Sequence, residues 1–218
     1  MRKVDPAKHA AKRQAILDAA VGCFAEKGFE KTTTADICRA TGISSGSLFH
    51  YFPTKRAVFV AIFAEDGERT AGFLAEAAKA QDPLAALFAV VDRLSADVAE
   101  PILVRLVLEV AAQAARDEEF AALIRRNEAA TRDGLQVLVQ RAADAGLIDA
   151  SIPPLSAANW ITALIDALIS RANMDPELDV AAERAMLKVI LTRFLRPDSA
   201  VSAPGGAQMP QTGGISPE

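Results

Sequence analysis

The chain has 218 residues, of which 51% are hydrophobic, so it is long and apolar enough to fold into one or two domains. No apolar run reaches the roughly 18 residues of a membrane-spanning helix, and no apolar signal core follows the basic N-terminus, so we expect a cytoplasmic protein with no membrane partner. The net charge of −4 conceals an asymmetry, because residues 1–56 carry 10 Lys and Arg against 5 Asp and Glu, whereas the remainder carries 14 against 23. A basic head on an acidic body favours an anionic partner for the head, with nucleic acid as the leading candidate.

The chain begins with a segment that predicts a basic arm and then a helix. Residues 1–11 are expected to form the arm. From Lys12 onward, apolar side chains recur at the spacing of one helix face, and Gly28 is expected to end this helix as a left-handed cap. Alanine is abundant and Tyr and Trp occur once each, a composition that favours helices over strands.

The next three helices are each expected to begin at a hydroxyl side chain. Thr33 or Thr34 caps the second helix, Ser44 or Ser45 caps the third, and Thr54 caps the fourth. A glycine ends the second helix, and a proline follows the third. The head predicted by these signals covers residues 12–56.

Residues 57–196 are also helical by their pattern and are expected to form a larger helical body. Segments that open at Pro83 and Pro101 carry apolar residues at helical spacing, as do the segments that follow them. The segment 197–218 is rich in Pro, Gly and Ser without apolar periodicity, which predicts a disordered tail.

The letters GISSG, from Gly42 to Gly46, match the pattern G-x-S-x-G of the serine-hydrolase nucleophile elbow. That pattern requires a strand before the serine, and an acid and a histidine after it. Here the preceding residues read as a helix, and His50 is the only histidine after Ser44, with no acid between them. We therefore expect no catalytic residue and no enzymatic activity.

The same stretch meets the requirements of a helix-turn-helix over residues 33–52. That motif joins two short helices by a tight turn that often contains glycine. Its second helix begins with small polar residues, because its N-terminal end meets the base edges. The letters SSGS supply hydroxyl donors and a glycine that lets the backbone approach DNA closely.

The run from Ser44 to Lys55 follows the pattern S-x-G-[ST]-[LF]-[YF]-x-[YF]-F-x-[ST]-K and resembles the DNA-binding domain of TetR-family transcriptional regulators. The resemblance covers roughly residues 12–63. It departs from the usual pattern at Phe49, where tyrosine is usual, and at Cys38, where alanine is more frequent. It implies an all-α protein, with an N-terminal three-helix DNA-binding domain that contains a helix-turn-helix and a larger helical ligand-binding and dimerisation domain.

Carried over by position, the resemblance implies a set of DNA contacts. The first two residues lie near the DNA backbone, the next five face the major groove, and the last three suit phosphate and base contacts. Helix capping is an alternative role for the hydroxyl groups, and core packing is an alternative for the leucine. The implied DNA-binding residues are Thr33, Thr34, Ser44, Ser45, Gly46, Ser47, Leu48, His50, Tyr51 and Lys55.

The resemblance also implies a homodimer that binds a palindromic operator in double-stranded DNA. The last two helices, at about 155–172 and 177–195, resemble the dimerising pair and would form a four-helix bundle across a two-fold axis. The predicted interface residues are Trp160, Ile161, Leu164, Ile165, Leu168, Leu187 and Leu191.

A small-molecule effector is implied as a partner of the body, between its central helices. The predicted lining residues are Phe63, Phe88, Leu103, Arg105, Leu106, Glu109, Asn127 and Thr131. Arg105 and Glu109 also suit an ion pair on a solvated helix face. Because only two aromatic residues lie in these walls, we expect a largely apolar, mostly aliphatic effector.

The remaining candidate groups predict no further chemistry. Cys23 and Cys38 are expected to be small buried side chains, with a redox switch as the alternative. They and the two histidines lack metal-ligand spacing, and no cofactor is indicated. The sequence therefore predicts a ligand-responsive transcriptional regulator. Repression is favoured and activation is left open, and a helical protein–protein adaptor without DNA binding is the alternative.

Overall fold

A computed structural model describes residues 5–196, and all regular structure within them is helical. This confirms the predicted all-α fold class. The tail predicted for 197–218 lies outside the described residues, as do residues 1–4. A short 3-10 turn at Ala96–Ala99 accompanies nine α-helices over the described range. In chain order these are α1 Pro6–Lys31, α2 Thr34–Thr41, α3 Ser45–Tyr51, α4 Lys55–Ala77, α5 Pro83–Leu94, α6 Pro101–Ala114, α7 Glu118–Asp144, α8 Pro154–Met174 and α9 Val180–Phe194.

Helix α1 begins earlier than the sequence predicted. The carboxylate of Asp5 accepts two backbone N–H groups of the first turn, and Pro6 suits that turn because its ring presets φ. The prediction of an arm over 1–11 is therefore wrong for residues 6–11. At the other end, Gly28 has a φ of 76° and a ψ of 163°, a positive-φ conformation that suits glycine and kinks the helix. It is not the predicted left-handed cap, because its ψ lies outside that region and one further turn follows it.

The caps of the next three helices follow the predicted chemistry. Thr33, rather than its neighbour, caps α2 in a capping box with Asp36. Gly42 ends α2 in the left-handed conformation, with a φ of 68°. Ser44 caps α3 and Thr54 caps α4, each through its side-chain oxygen. The local sequence therefore determines where these helices begin.

The core of the head is continuous with part of the body. Phe24 and Phe59 pack edge to face with ring centroids 5.0 Å apart, and Phe59 in turn lies 5.1 Å from Phe120 of α7. Leu106 of α6 is buried in the same cluster. The domain boundary predicted between residues 56 and 57 falls inside α4, which runs without a break from the head into the body.

A second core fills the body. It is built from the inward faces of α5, α7, α8 and α9, with fully buried side chains such as Leu135, Leu138 and Ile161. Helix α7 packs against α4, α5, α6 and α8, and therefore holds the centre of the body. Over the described residues, no helix combines the length and apolar character required to cross a membrane.

Candidate DNA-binding surface and effector cavity

The start of α3 presents small residues to solvent. Ser45, Gly46 and His50 are exposed, while Ser47 and Tyr51 are half-buried. The hydroxyl of Ser44 accepts the N–H of Ser47 at 3.2 Å, so this oxygen serves as the helix cap. The predicted polar surface therefore exists, and its contacts with DNA stay a prediction.

Leu48 does not belong to that surface. Its side chain is 0% exposed and packs in the head core, whereas Phe49 is 48% exposed. The reason is helical spacing: Leu48 and Phe52 are four residues apart and share the buried face, while Phe49 and Ser45 share the outer one. The burial of Leu48 contradicts its predicted base contact and agrees with the alternative of core packing. Phe49, which was not among the predicted DNA contacts, lies on the surface.

The hydrolase interpretation of Ser44 fails on its surroundings. Helix α2 runs to Thr41, where a nucleophile elbow requires a strand. His50 lies beside His9 and Tyr51, with ring centroids 6.0 and 5.3 Å away. The arrangement around Ser44 is that of a helix cap.

The start of α2 is fixed to α1 through one carboxylate. Asp36 accepts a hydrogen bond from Lys27 Nζ at 2.7 Å and from Arg39 Nη1 at 3.0 Å. It also bonds the backbone and the hydroxyl of Thr33. The Lys27 ammonium, with the Thr33 bonds next, holds the pKa of Asp36 well below its usual range. The hydroxyl of Thr33 is thus engaged within the protein, and Thr34 beside it is half-buried.

Lys55 ties the start of α4 to the end of α1. Its ammonium donates to the carbonyls of Phe29 at 2.6 Å and Glu30 at 3.2 Å, and it lies 4.4 Å from the Phe29 ring centroid. This geometry is an intramolecular helix cap with a cation–π contact. The predicted phosphate contact from Lys55 stays a prediction, and its ammonium has protein partners in this conformation.

An ion pair joins the start of α4 to the start of α7, and it was not predicted from the sequence. Arg56 forms two hydrogen bonds with Asp117, at 2.6 and 2.9 Å, and one with Glu119 at 2.8 Å. The Arg56 guanidinium lowers the pKa of Asp117 to about 2. The pair spans 61 positions of sequence, so no local pattern could have revealed it.

The body contains two adjoining cavities of about 280 and 290 Å³, bounded by α4, α5, α6, α7 and α8. Phe63 lines both. Asn127 and Thr131 line the first, and Leu103 and Leu106 line the second. These five of the eight predicted lining residues therefore meet around one space, which we call the effector cavity.

The other three predicted lining residues lie elsewhere, so their prediction is wrong. Phe88 packs against the core of the body. Arg105 lines a separate cavity with Asn173, near the end of α8. Glu109 accepts the backbone N–H of Phe29 at 2.9 Å, on the side of α6 that faces α1.

Charged side chains line the effector cavity, and sequence reasoning did not identify them. They are Asp66, Arg69, Arg93, Asp97, Glu128 and Asp166. Partial burial raises the pKa of Asp97, Glu128 and Asp166, and the neighbouring carboxylates add to this for Asp97 and Glu128. Helical spacing could have identified Asp66 as a lining residue, because it lies one turn after Phe63 on the same face of α4.

Most of the predicted dimer residues belong to the core of the body. Their exposed fractions are 9% or less, because they occupy the inward faces of α8 and α9. The corrected residues are Ile161, Ile165, Leu168, Leu187 and Leu191. Leu164 is half-buried, and Trp160 is 59% exposed. Met186, Val189 and Ile190 of α9 are exposed by 50%, 41% and 43%. Together with Trp160 of α8, which packs against α9, we call these four residues the outer apolar face.

Two family models match the chain in succession. Residues 16–62 match the model described as bacterial regulatory proteins, tetR family. Residues 83–196 match the model described as BetI-type transcriptional repressor, C-terminal, which alone covers more than half of the chain. The chain belongs to the TetR family of transcriptional regulators. The helix-turn-helix resemblance seen in the sequence is thereby confirmed.

Individual TetR-family relatives resemble the chain over most of their length. The repressor AcnR of Corynebacterium efficiens is 29% identical over 186 residues, which cover 85% of this chain and 94% of that protein. The solved structure of Salmonella enterica GusR is 27% identical, covers 89% of this chain and 99% of its own, and has a TM-score of 0.67. The structure of Bacillus subtilis FadR in complex with stearoyl-CoA shares the fold, with 20% identity, coverage of 82% and 96%, and a TM-score of 0.68.

These comparisons identify the general function of the chain. It is a DNA-binding transcriptional repressor of the TetR family. The protein–protein adaptor alternative is not favoured. Its relatives are transcriptional regulators rather than enzymes, consistent with the cap geometry of Ser44.

Proposed function

We propose that the chain binds a palindromic operator as a homodimer through α2 and α3, and that a small molecule in the effector cavity releases it. The observation that carries this proposal is the position of Phe63. Its ring lines the cavity, and it also packs 5.0 Å from Phe59 and 5.4 Å from Phe120 in the core shared with the head. A ligand that displaces Phe63 therefore acts directly on the packing that supports α3.

Polar contacts also connect the effector cavity with the head, in addition to the aromatic contacts of Phe63. We call them the polar route, and the contacts of Phe63 the aromatic route. Helix α6 lines the cavity through Leu103, Leu106 and neighbouring residues, and it holds Phe29 through Glu109. The carbonyl of Phe29 in turn holds the ammonium of Lys55. A shift of α6 on ligand binding would thus reach the start of α4, where one of the proposed phosphate contacts lies.

The lining of the cavity suggests the chemistry of the effector. Apolar side chains such as Leu94, Val107 and Ile169 suit an apolar body, as the sequence predicted. Carboxylates on the same walls favour, in addition, a group that donates hydrogen bonds or carries positive charge. The FadR neighbour was solved with stearoyl-CoA, which supports small-molecule binding in this fold, although the carboxylates here suit a differently charged ligand.

The proposed DNA contacts divide into two roles. Ser45, Gly46 and Ser47 would read the groove, whereas His50, Tyr51 and Lys55 would hold phosphates. The basic balance of the head supports phosphate binding. Because a regulator of this kind must reach the chromosome, we place the protein in the cytoplasm.

The proposal is tested first by DNA binding. Purified protein would be used to select sequences from a random duplex library, and the selected site would be measured by fluorescence anisotropy at increasing salt. We expect a palindromic site whose affinity falls steeply as salt rises. No selected sequence, together with no binding at low salt, would overturn the proposal.

The effector cavity is tested by thermal shift. A library of apolar compounds with neutral, cationic and anionic groups would be screened, because binding to the folded state raises stability by mass action. Compounds that stabilise the protein should release the selected DNA. Asp166→Asn should change which head groups stabilise it, while Asp133→Asn, an exposed carboxylate of α7 outside the cavity lining, should not. Unchanged preferences in both variants would reject this cavity as the site.

A further inference from the structure

Three rings meet at the end of α3, and one of them comes from α1. The ring centroid of His9 lies 4.6 Å from that of Tyr51 and 6.0 Å from that of His50. Tyr51 and His50 also pack edge to face, with centroids 5.3 Å apart. The two histidines and the single tyrosine of the chain therefore form one cluster. His9 reaches it because α1 is already helical at Pro6.

The imidazoles of this cluster lack a polar partner within the described residues, and His50 is exposed while His9 is half-buried. Neither histidine side chain has a hydrogen bond or an ion pair with any other described residue, whereas the positively charged groups of the same face are partly engaged. Arg13 pairs with Glu65 and lies 5.1 Å from the Phe52 ring centroid. Histidine donates two N–H groups when charged, which suits a phosphate oxygen.

The charged groups around the cluster favour an anion. On α1, Lys12 is exposed, and Lys8 is exposed but lies 4.0 Å from the carboxylate of Asp5, which also caps the helix. Helix α3 contributes no carboxylate. At the start of α4, Lys55 and Arg56 are held by carbonyls and carboxylates of the protein. Within the described part of the chain, the surface at His9 is thus positive and lacks an acidic partner of its own.

We propose that His9 is a phosphate-contacting residue, which acts with His50 around Tyr51 to hold the DNA backbone beside the groove that α3 enters. The inference rests on the proposed DNA-binding surface and extends it from α3 to the first turns of α1. A charged imidazole donates two N–H groups and a neutral one donates a single N–H, so we expect a stronger contact at low pH than at high pH. Tyr51 acts here as the support that positions both imidazoles.

The test uses the full chain and an unrelated 30-base-pair duplex, because phosphate contacts do not depend on sequence. Affinity would be measured by fluorescence anisotropy at pH 6 and pH 8 over a range of salt concentrations. We expect tighter binding by the wild type at pH 6. The slope of log affinity against log salt should fall in magnitude by up to about 0.9 in His9→Ala at pH 6, the effect of losing one phosphate contact.

Two further variants separate charge from packing. His9→Lys keeps a positive charge at both pH values, so it should bind more tightly than the wild type at pH 8. Lys12→Ala is the matched control on the same helix, because a lysine charge is constant over this range and any loss should be equal at pH 6 and pH 8. Circular dichroism would confirm that each variant is folded.

The possible outcomes are distinguishable. If His9→Ala binds as the wild type does at both pH values, the inference is wrong and the proposed α3 surface stands. An equal loss at pH 6 and pH 8, without rescue by His9→Lys, would assign His9 to packing on Tyr51 and also overturn the inference. If the wild type itself ignores DNA at low salt, the proposed DNA-binding surface fails, and this inference fails with it.

Discussion

Gly46 lies at the exposed start of α3, where an added methyl group would meet no atom of the protein. Gly46→Ala should therefore stabilise the chain by up to about 1 kcal/mol, because alanine favours a helix over glycine. We expect the same variant to bind DNA more weakly, since the methyl group fills the space through which the backbone approaches the groove. Urea unfolding and fluorescence anisotropy would measure the two effects separately.

Gly72 provides the matched control for this variant. It lies on the exposed side of α4, also with nothing within 4 Å of an added methyl group, and it is not part of the proposed DNA surface. Gly72→Ala should give a similar gain in stability with unchanged DNA affinity. Equal DNA affinity in both variants would show that the backbone at Gly46 does not approach DNA.

Leu48 and Phe49 are adjacent residues with opposite expected roles. Leu48→Ala should lower the free energy of unfolding by about 2–5 kcal/mol, because it leaves a cavity in the head core. Phe49→Ala should change stability little, because its ring is 48% exposed. Urea unfolding followed by circular dichroism would measure both. A Leu48→Ala protein with unchanged stability and an altered preference among operators would restore Leu48 as a base contact.

At the residue scale, sequence could predict the groups whose partners are close along the chain. Thr54 was identified as a cap, and Thr33 and Ser44 were each one of two candidates, because a cap bonds an N–H three residues away. The hydrogen-bond partners of Lys55 and Glu109 were not predicted, because they lie 26 and 80 positions away along the chain. Such pairs depend on how helices cross, and the crossing is absent from any local pattern.

At the element scale, α4 and α7 cross closely at two glycines. A methyl group at Gly134 would lie 2.9 Å from Cβ of Leu74, and one at Gly67 would lie 2.4 Å from Cγ of Asn127, whose amide donates to the Phe63 carbonyl at 2.8 Å. Gly134→Ala should therefore lower the free energy of unfolding by about 1–3 kcal/mol, because the helices must separate. Thermal and urea unfolding would measure it, against the gain expected for Gly72→Ala. Equal gains in both would show that the crossing adjusts freely.

At the junction of α1 with α6, one carboxylate satisfies a backbone N–H. Glu109→Ala leaves the N–H of Phe29 without its partner, so we expect the free energy of unfolding to fall by about 1–3 kcal/mol. Glu109→Gln keeps a carbonyl acceptor and should lose less. Urea unfolding of the two variants would measure the difference, and equal losses would indicate that the acceptor does not matter at this junction.

The same junction tests the polar route from the cavity to the head. In Glu109→Ala, an effector identified by thermal shift should still bind but release DNA less completely, because α6 no longer holds Phe29. Anisotropy of the DNA complex at saturating effector would measure the release. Full release in this variant would leave the aromatic route through Phe63 as the sufficient one.

The spacing of apolar residues predicted that α8 and α9 each have an apolar face, but not whether that face packs in the core or against a second copy. Ile161 and Leu191 were assigned to an interface, and both are buried within one chain. An interface face and a core face carry the same residue types, so a single sequence does not distinguish them. The folded body resolves this, because its core occupies one face and leaves Trp160 and Ile190 on the other.

At the scale of the whole molecule, head and body form one packed unit. Phe24 and Phe59 belong to different predicted domains and pack together, and Arg56 joins the head to the start of α7. The sequence resemblance predicted both domains, because each has its own motif or helical pattern. It did not predict that they share a core, and the proposed release of DNA by a ligand in the body would act through that shared core.

The outer apolar face of α8 and α9 predicts the form of the assembly. Exposed apolar surface of this extent on two adjacent helices suits a four-helix bundle with a second copy. Trp160→Glu should prevent it, because a carboxylate would be buried without a partner. We expect a dimer for the wild type and a monomer for the variant by size-exclusion chromatography with light scattering.

Leu108→Glu is the control for this prediction, because Leu108 is 55% exposed on α6, outside the outer apolar face. It should remain dimeric. DNA binding should follow the assembly, since a dimer spans two half-sites about 34–36 Å apart and a monomer contacts only one. Trp160→Glu should therefore lose most of its affinity for the palindrome. Its affinity for unrelated DNA should be that of a single DNA-binding head. A dimeric Trp160→Glu beside a monomeric Leu108→Glu would place the interface on α6 instead.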